Sequence, residues 1–164
     1  MLHTSEHCCS LIANALLQRH WQLATAESCS GGMIAAACTD LAGSSQWFER
    51  GFVSYSNQAK TDMLGVSPSL IERFGAVSEQ VALAMAHGAI QHSCAQVALA
   101  VTGIAGPSGA SSHKPVGTVW FAWITPLKTH SELMHFSGDR NQVRIQTVLH
   151  SLQNLLSILN CSAP

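Results

Sequence analysis

The chain has 164 residues, 47% of them hydrophobic and 10% charged, with a formal net charge of −1. That length suits one domain, long enough to bury about two thirds of its unfolded surface. Eight basic residues against nine acidic ones, with no dense basic block, exclude a nucleic-acid groove built on phosphate neutralisation.

One or two cations with some backbone N–H groups would still serve a substrate carrying one phosphate. The charged share is about half that of an ordinary soluble domain. Part of the apolar excess is therefore expected to be covered in a homodimer or higher homo-oligomer. No apolar run approaches the ~20 residues that span a bilayer, so no membrane partner is expected. The start, MLHTSEHCCS, has no early positive charge and does not look like a signal peptide. Six cysteines without a CxxC pair suit reduced thiols in the cytoplasm. Nine histidines without HExxH or zinc spacing give no reason to expect a metal or other cofactor.

In chain order, Cys8, Leu11, Ile12, Ala15 and Leu16 recur at helical spacing and predict a helix over 5–19. Trp21, Leu23 and Thr25 alternate, which predicts a short strand over 21–27. The alanine-rich run 33–41 reads as a helix that starts at a glycine pair, and FERGFVSYS as a strand near 49–55. Two short helices follow. One covers 57–64 and ends at Gly65; the next has Ser67 as cap, Pro68 in its first position and Gly75 at its end. Ser78 caps a longer helix with Val81, Ala82, Met85, Ala89 and Ile90 on one stripe. The apolar run 96–103 suits a strand buried on both faces. A glycine-rich loop, a hairpin around PLKTH and a last helix over 139–159 complete the chain. Strands alternating with helices, plus a terminal hairpin, predict a single-domain three-layer α/β/α sandwich with a mixed sheet over 1–164. Its ligand is expected beyond the carboxyl ends of the strands.

Three polar loops interrupt this apolar chain: ESCSGG (27–32), GSSQW (43–47) and TGIAGPSG (102–109). Each holds glycines and could offer backbone N–H groups to an anion, or could be an ordinary tight turn. None is a Walker A loop and none a full GxGxxG. Behind the second loop lie the only tyrosine, Tyr55, and one of three lysines, Lys60. A serine hydroxyl needs a base to become a nucleophile, and a lysine serves if burial disfavours its charge. Spacing alone leaves Lys60 open as a solvated helix lysine and Tyr55 as a core tyrosine. Cys29 is open both as a thiolate nucleophile and as a small side chain lining a pocket.

TAESCSGGMIAAACTDLAGSSQWFERGFVSYSNQAKTDMLGV, then GAVSEQVA, VTGIAGPSG, KPVGTVWFAW and FSGDR, resemble the CinA C-terminal domain family. The likeness runs from about Thr25 to Arg144. It implies hydrolysis of the carboxamide of nicotinamide mononucleotide to nicotinic acid mononucleotide and ammonia, without a metal. A non-catalytic nucleotide-binding or regulatory module is the alternative. The resemblance places the family's catalytic serine, tyrosine and lysine on Ser45, Tyr55 and Lys60. Substrate binding is then expected from Ser28, Cys29, Ser30, Gly31 and Gly32 of the first loop, from Thr102, Gly103 and Gly106 of the third, and from Arg140 of SGDR.

Overall fold

A computed structural model describes residues 4–161. Five strands form one mixed sheet in the order β2-β1-β3-β4-β5: β1 is Leu23–Glu27, β2 Phe48–Val53, β3 Val97–Gly103, β4 Thr118–Ile124 and β5 Thr129–His135. β1 pairs in parallel with β2 and β3, whereas β4 and β5 form the antiparallel hairpin read from the sequence. The carboxyl ends of β1, β2 and β3 therefore lie together. β4 begins at that same end, where Gly103 pairs with Val119.

Two unlike faces follow from alternation along the strands. Leu23, Val97, Leu99, Val101, Val119, Phe121 and Trp123 pack with α1 (Ser5–Gln18), α2 (Met33–Thr39) and α6 (Arg140–Cys161). The other face carries Ala24, Ala26, Ala98, Ala100 and Ala122, and lies against α3 (Asn57–Leu64), α4 (Pro68–Phe74) and α5 (Glu79–Gln91). Small strand residues let α5 approach closely with its own Ala82, Ala86 and Ala89. This is the expected α/β/α sandwich.

Helix starts follow the capping residues. The hydroxyls of Thr4, Ser56 and Ser78 accept from the N–H groups of His7, Ala59 and Val81. Gly65 ends α3 in the left-handed region, and its N–H closes on Lys60 and Thr61 carbonyls. One glycine is fixed by packing instead. A methyl group at Gly88 of α5 would strike the backbone carbonyl of Leu64 at the end of α3. Gly88→Ala is expected to cost about 2–3 kcal/mol, or roughly 5–10 °C in melting temperature. A thermal melt by circular dichroism measures it, and an unchanged Tm contradicts this packing.

Candidate active site

The site grows from the carboxyl end of β1. Strand pairing continues one residue past it: the Ser28 N–H donates to the Val101 carbonyl at 3.1 Å, and the Ser54 N–H donates to the Glu27 carbonyl at 2.9 Å. Alternation therefore still holds at 27 and 28, and the two side chains leave on opposite faces. Glu27 turns toward α2 and Ser28 toward α3.

Glu27 is 1% exposed, yet both carboxylate oxygens are hydrogen-bonded. Its carboxylate accepts from the Ser30 hydroxyl (2.6 Å) and from the N–H groups of Gly32 (3.0 Å), Ile34 (3.0 Å) and Ala35 (2.8 Å). The loop SCSGG thus wraps an anion that the chain itself supplies, at the N-terminus of α2. A buried carboxylate is tolerated only when paired or hydrogen-bonded, and here the donors are mainly backbone. The Gly31 N–H is also taken, by the Ser28 carbonyl at 3.1 Å. Ser30, Gly31 and Gly32, expected to bind the substrate, hold the turn that carries Ser28.

Lys60 comes to Ser28 from α3. The Ser56 cap stands four residues before it, and helical side chains lean toward the N-terminus. Nζ consequently reaches back to three oxygens: the Ser28 hydroxyl at 3.0 Å, the Ser54 carbonyl at 3.1 Å and the Tyr55 carbonyl at 3.2 Å. The side chain is 1% exposed. Among the described residues no carboxylate pairs with it. Burial lowers the amine below the ordinary lysine value of 10.5, with nearby Cys29 acting weakly in the opposite sense. A neutral amine in this position gives its two N–H groups to the two carbonyls and turns its lone pair to the Ser28 hydroxyl. That is the arrangement of a general base and its nucleophile.

Both groups open into a cleft of about 230 Å³, bordered also by Cys29, Tyr55, Asn57, Ala76, Val77, Thr102, Gly103, Ala105 and Arg140. Gly103 ends β3 where a side chain has no room, since a methyl there would meet Val119 at 2.7 Å and the Cys29 sulfur at 3.1 Å. The Thr102 hydroxyl donates to the Ala76 carbonyl at 2.8 Å and ties the two walls together. Arg140, the first residue of α6, donates to the Gly106 carbonyl at 2.7 Å and to the Tyr55 phenol oxygen at 3.0 Å. Tyr55 is 57% exposed, so it is neither a core tyrosine nor a bridge between serine and lysine. Its backbone carbonyl faces the amine; its phenol faces the arginine. Lys114 donates to the Phe74 carbonyl at 3.1 Å and does not border the cleft.

Ser45 is not brought to this site. It lies in a 3₁₀ turn, Ser44–Gln46, just ahead of β2, and Phe48 at the start of β2 pairs with Leu23 at the start of β1. Lys60 and Ser28 lie beyond the opposite ends of the same strands. The five residues of β1 set the two positions apart by roughly 16 Å of strand. The pairing of Ser45 with Lys60 is therefore corrected, and the hydroxyl against the amine is that of Ser28. The thiol reading of Cys29 fails as well. Burial pushes Cys29 up to about 12, which leaves it protonated at neutral pH. Alkylation at neutral pH is expected to modify the exposed Cys94 and Cys161 and to leave any Ser28-dependent activity intact. Loss of activity in step with modification of Cys29, followed by peptide mapping, would contradict this.

Sequence reasoning passed over Glu27, Asn57 and Arg144. Glu27 carried a signal, because an acid directly before a serine–glycine turn at a helix start has N–H groups to meet. Among the described residues no helix is long and apolar enough to cross a membrane, and no three His, Cys, Asp or Glu side chains gather to hold a metal ion.

Comparison with known proteins agrees with this architecture. The chain is 53% identical over 146 residues to the nicotinamide-nucleotide amidohydrolase PncC of Enterobacter agglomerans, covering 88% of this chain and 89% of that protein. To the protein of the same name in Escherichia coli K12 it is 50% identical over 147 residues, covering 88% of each. The crystal structure of a competence/damage-inducible protein from Agrobacterium tumefaciens superposes with a TM-score of 0.91 at 45% identity, over 95% of both chains. The model of the CinA C-terminal domain matches residues 5–159, and the chain belongs to that family.

Proposed function

We propose that the protein hydrolyses the carboxamide of nicotinamide mononucleotide, releasing ammonia and nicotinic acid mononucleotide, with Ser28 as nucleophile and Lys60 as its base. The observation that carries this is the 3.0 Å contact between the Ser28 hydroxyl and a buried amine that has no carboxylate partner among the described residues. The names borne by relatives about half identical to this chain supply the substrate.

In this reading the Ser28 oxygen attacks the amide carbon while its proton passes to Lys60 Nζ. Collapse of the tetrahedral intermediate breaks the C–N bond, and the Lys60 ammonium gives the proton to the departing nitrogen as ammonia forms. Water then attacks the ester on Ser28, again losing its proton to Lys60, and the acid leaves as Ser28 regains its hydrogen. Charge on the amide oxygen needs fixed donors, for which the backbone at Gly103 and Ala105 borders the cleft. Arg140 is the partner for the substrate's phosphate, and a forked guanidinium suits that group. The half-exposed ring of Tyr55 offers a face to the pyridine.

The test is an assay of ammonia and nicotinic acid mononucleotide from nicotinamide mononucleotide and purified protein. Equal amounts of both products, at a turnover of about 1 s⁻¹ or more, support the proposal. Calorimetric binding of the nucleotide with no ammonia over hours would instead mark a binding module.

A further inference from the structure

We infer that Arg144 is a positioning residue for the nucleophile: from α6 it clamps the two peptide carbonyls that follow Ser28 and so sets the reach of the serine toward Lys60. This rests on the reading of Ser28 as nucleophile. Arg144 Nε donates to the Cys29 carbonyl at 3.2 Å, and Nη2 donates to the Ser30 carbonyl at 3.0 Å. The turn is thereby held from two sides by opposite charges. Glu27 collects its N–H groups from within, and Arg144 collects its carbonyls from without.

The two carbonyls stand one residue apart, and a guanidinium presents two donors in a fixed fork where an ammonium presents a single point. Gly31 lies directly beneath the fork. A methyl there would approach Nη2 to 3.2 Å, so the turn is kept bare where the arginine crosses it. Arg144 stands one helical turn beyond Arg140, which reaches the opposite wall through Gly106 and Tyr55. The first two turns of α6 therefore fix both the mouth of the cleft and the backbone that carries its nucleophile.

A structural brace and a positioning residue differ in what their loss changes. Once the turn is loose, a displacement approaching 1 Å of the Ser28 oxygen is worth on the order of 10²-fold in rate. Substrate binding through Arg140 and Tyr55 is untouched. The experiment compares Arg144→Ala, Arg144→Lys and Ser28→Ala in steady-state hydrolysis of nicotinamide mononucleotide, with thermal melts and with guanidinium ion added at concentrations below those that denature. Arg144→Ala is expected to lower kcat about 10²-fold with KM within about threefold. Guanidinium should restore part of that loss, and Arg144→Lys should fall between the two.

An Arg144→Ala protein with wild-type kcat overturns the inference, as does one that melts like the wild type but whose lost rate guanidinium does not restore. Should Arg144→Ala fail to fold, Arg144→Lys decides: kcat lower by about tenfold at constant KM supports the clamp, and wild-type kcat and KM refute it. Ser28→Ala separates the two layers. Full activity in that variant removes the underlying function reading, whereas an inactive Ser28→Ala beside a fully active Arg144→Ala removes the clamp alone.

Discussion

Ser28→Ala is expected to lower kcat/KM for nicotinamide mononucleotide by about 10³-fold or more, and Ser45→Ala to change it by no more than about twofold. The asymmetry follows from strand direction. Ser28 follows β1 and Lys60 follows β2, so the shared carboxyl end of two parallel strands brings them to 3.0 Å. Ser45 precedes β2, and an entire strand lies between it and the amine. Alanine at 28 leaves the turn intact, because the Ser28 N–H and carbonyl stay bonded to Val101 and Gly31. The melting temperature of the variant should therefore stay near that of the wild type, which separates lost chemistry from lost structure. Steady-state ammonia release from both variants is the measurement. A dead Ser45→Ala beside a working Ser28→Ala would reverse the assignment.

Lys60→Met is the second substitution with a large effect. Methionine has similar bulk and no basic atom, so Ser28 loses its proton acceptor and kcat should fall by about 10³-fold or more. In the wild type, kcat/KM should rise with pH as the amine becomes neutral, with a midpoint below the ordinary lysine value of 10.5. The variant's residual rate should lack that limb. Stability carries the same signature. The folded state holds the Lys60 proton less tightly than the unfolded chain does, so between the lowered midpoint and 10.5 the unfolded state binds more protons. Wild-type stability relative to Lys60→Met should rise with pH across that interval. Below the lowered midpoint the penalty for charging a buried amine is complete, and the difference should be flat. Urea unfolding of both proteins over this pH range tests the sign, and a difference that falls with rising pH contradicts a buried amine kept neutral.

Much of the fold was legible because its signals are local. Gly65, Gly75, Ser67–Pro68 and Ser78 mark helix ends through the chemistry of single residues: α3 ends, α4 begins and ends, and α5 begins where those residues say. The hairpin showed itself by two apolar runs around a short polar turn. The site was legible only in part. Lys60 and Tyr55 were drawn together by spacing and by family resemblance, and both border the cleft. The resemblance pairs Ser45 with Lys60, although the means to see the two set apart were present in the sequence. A strand predicted near 49–55 already puts whatever precedes it at the amino end of the sheet, and whatever follows it at the carboxyl end. The first loop reads both as an anion site and as a tight turn, because glycines beside a helix start fit either. The anion is Glu27, one residue upstream, and its partners are backbone N–H groups that leave no trace in side-chain spacing. Arg144 escaped for the same reason, since it recognises two peptide carbonyls more than a hundred residues away.

Only three lysines occur in the chain, Lys60, Lys114 and Lys128, so the amine can be observed directly. Protein labelled with ¹³C at the lysine ε position should show three resonances by NMR, that of Lys60 identified by its absence in Lys60→Met. The account predicts that the Lys60 signal titrates below the ordinary lysine value of 10.5, with the midpoint that also governs kcat/KM. A Lys60 signal that titrates at or above that value would contradict it, because Ser28 would then face a permanent cation in place of a base.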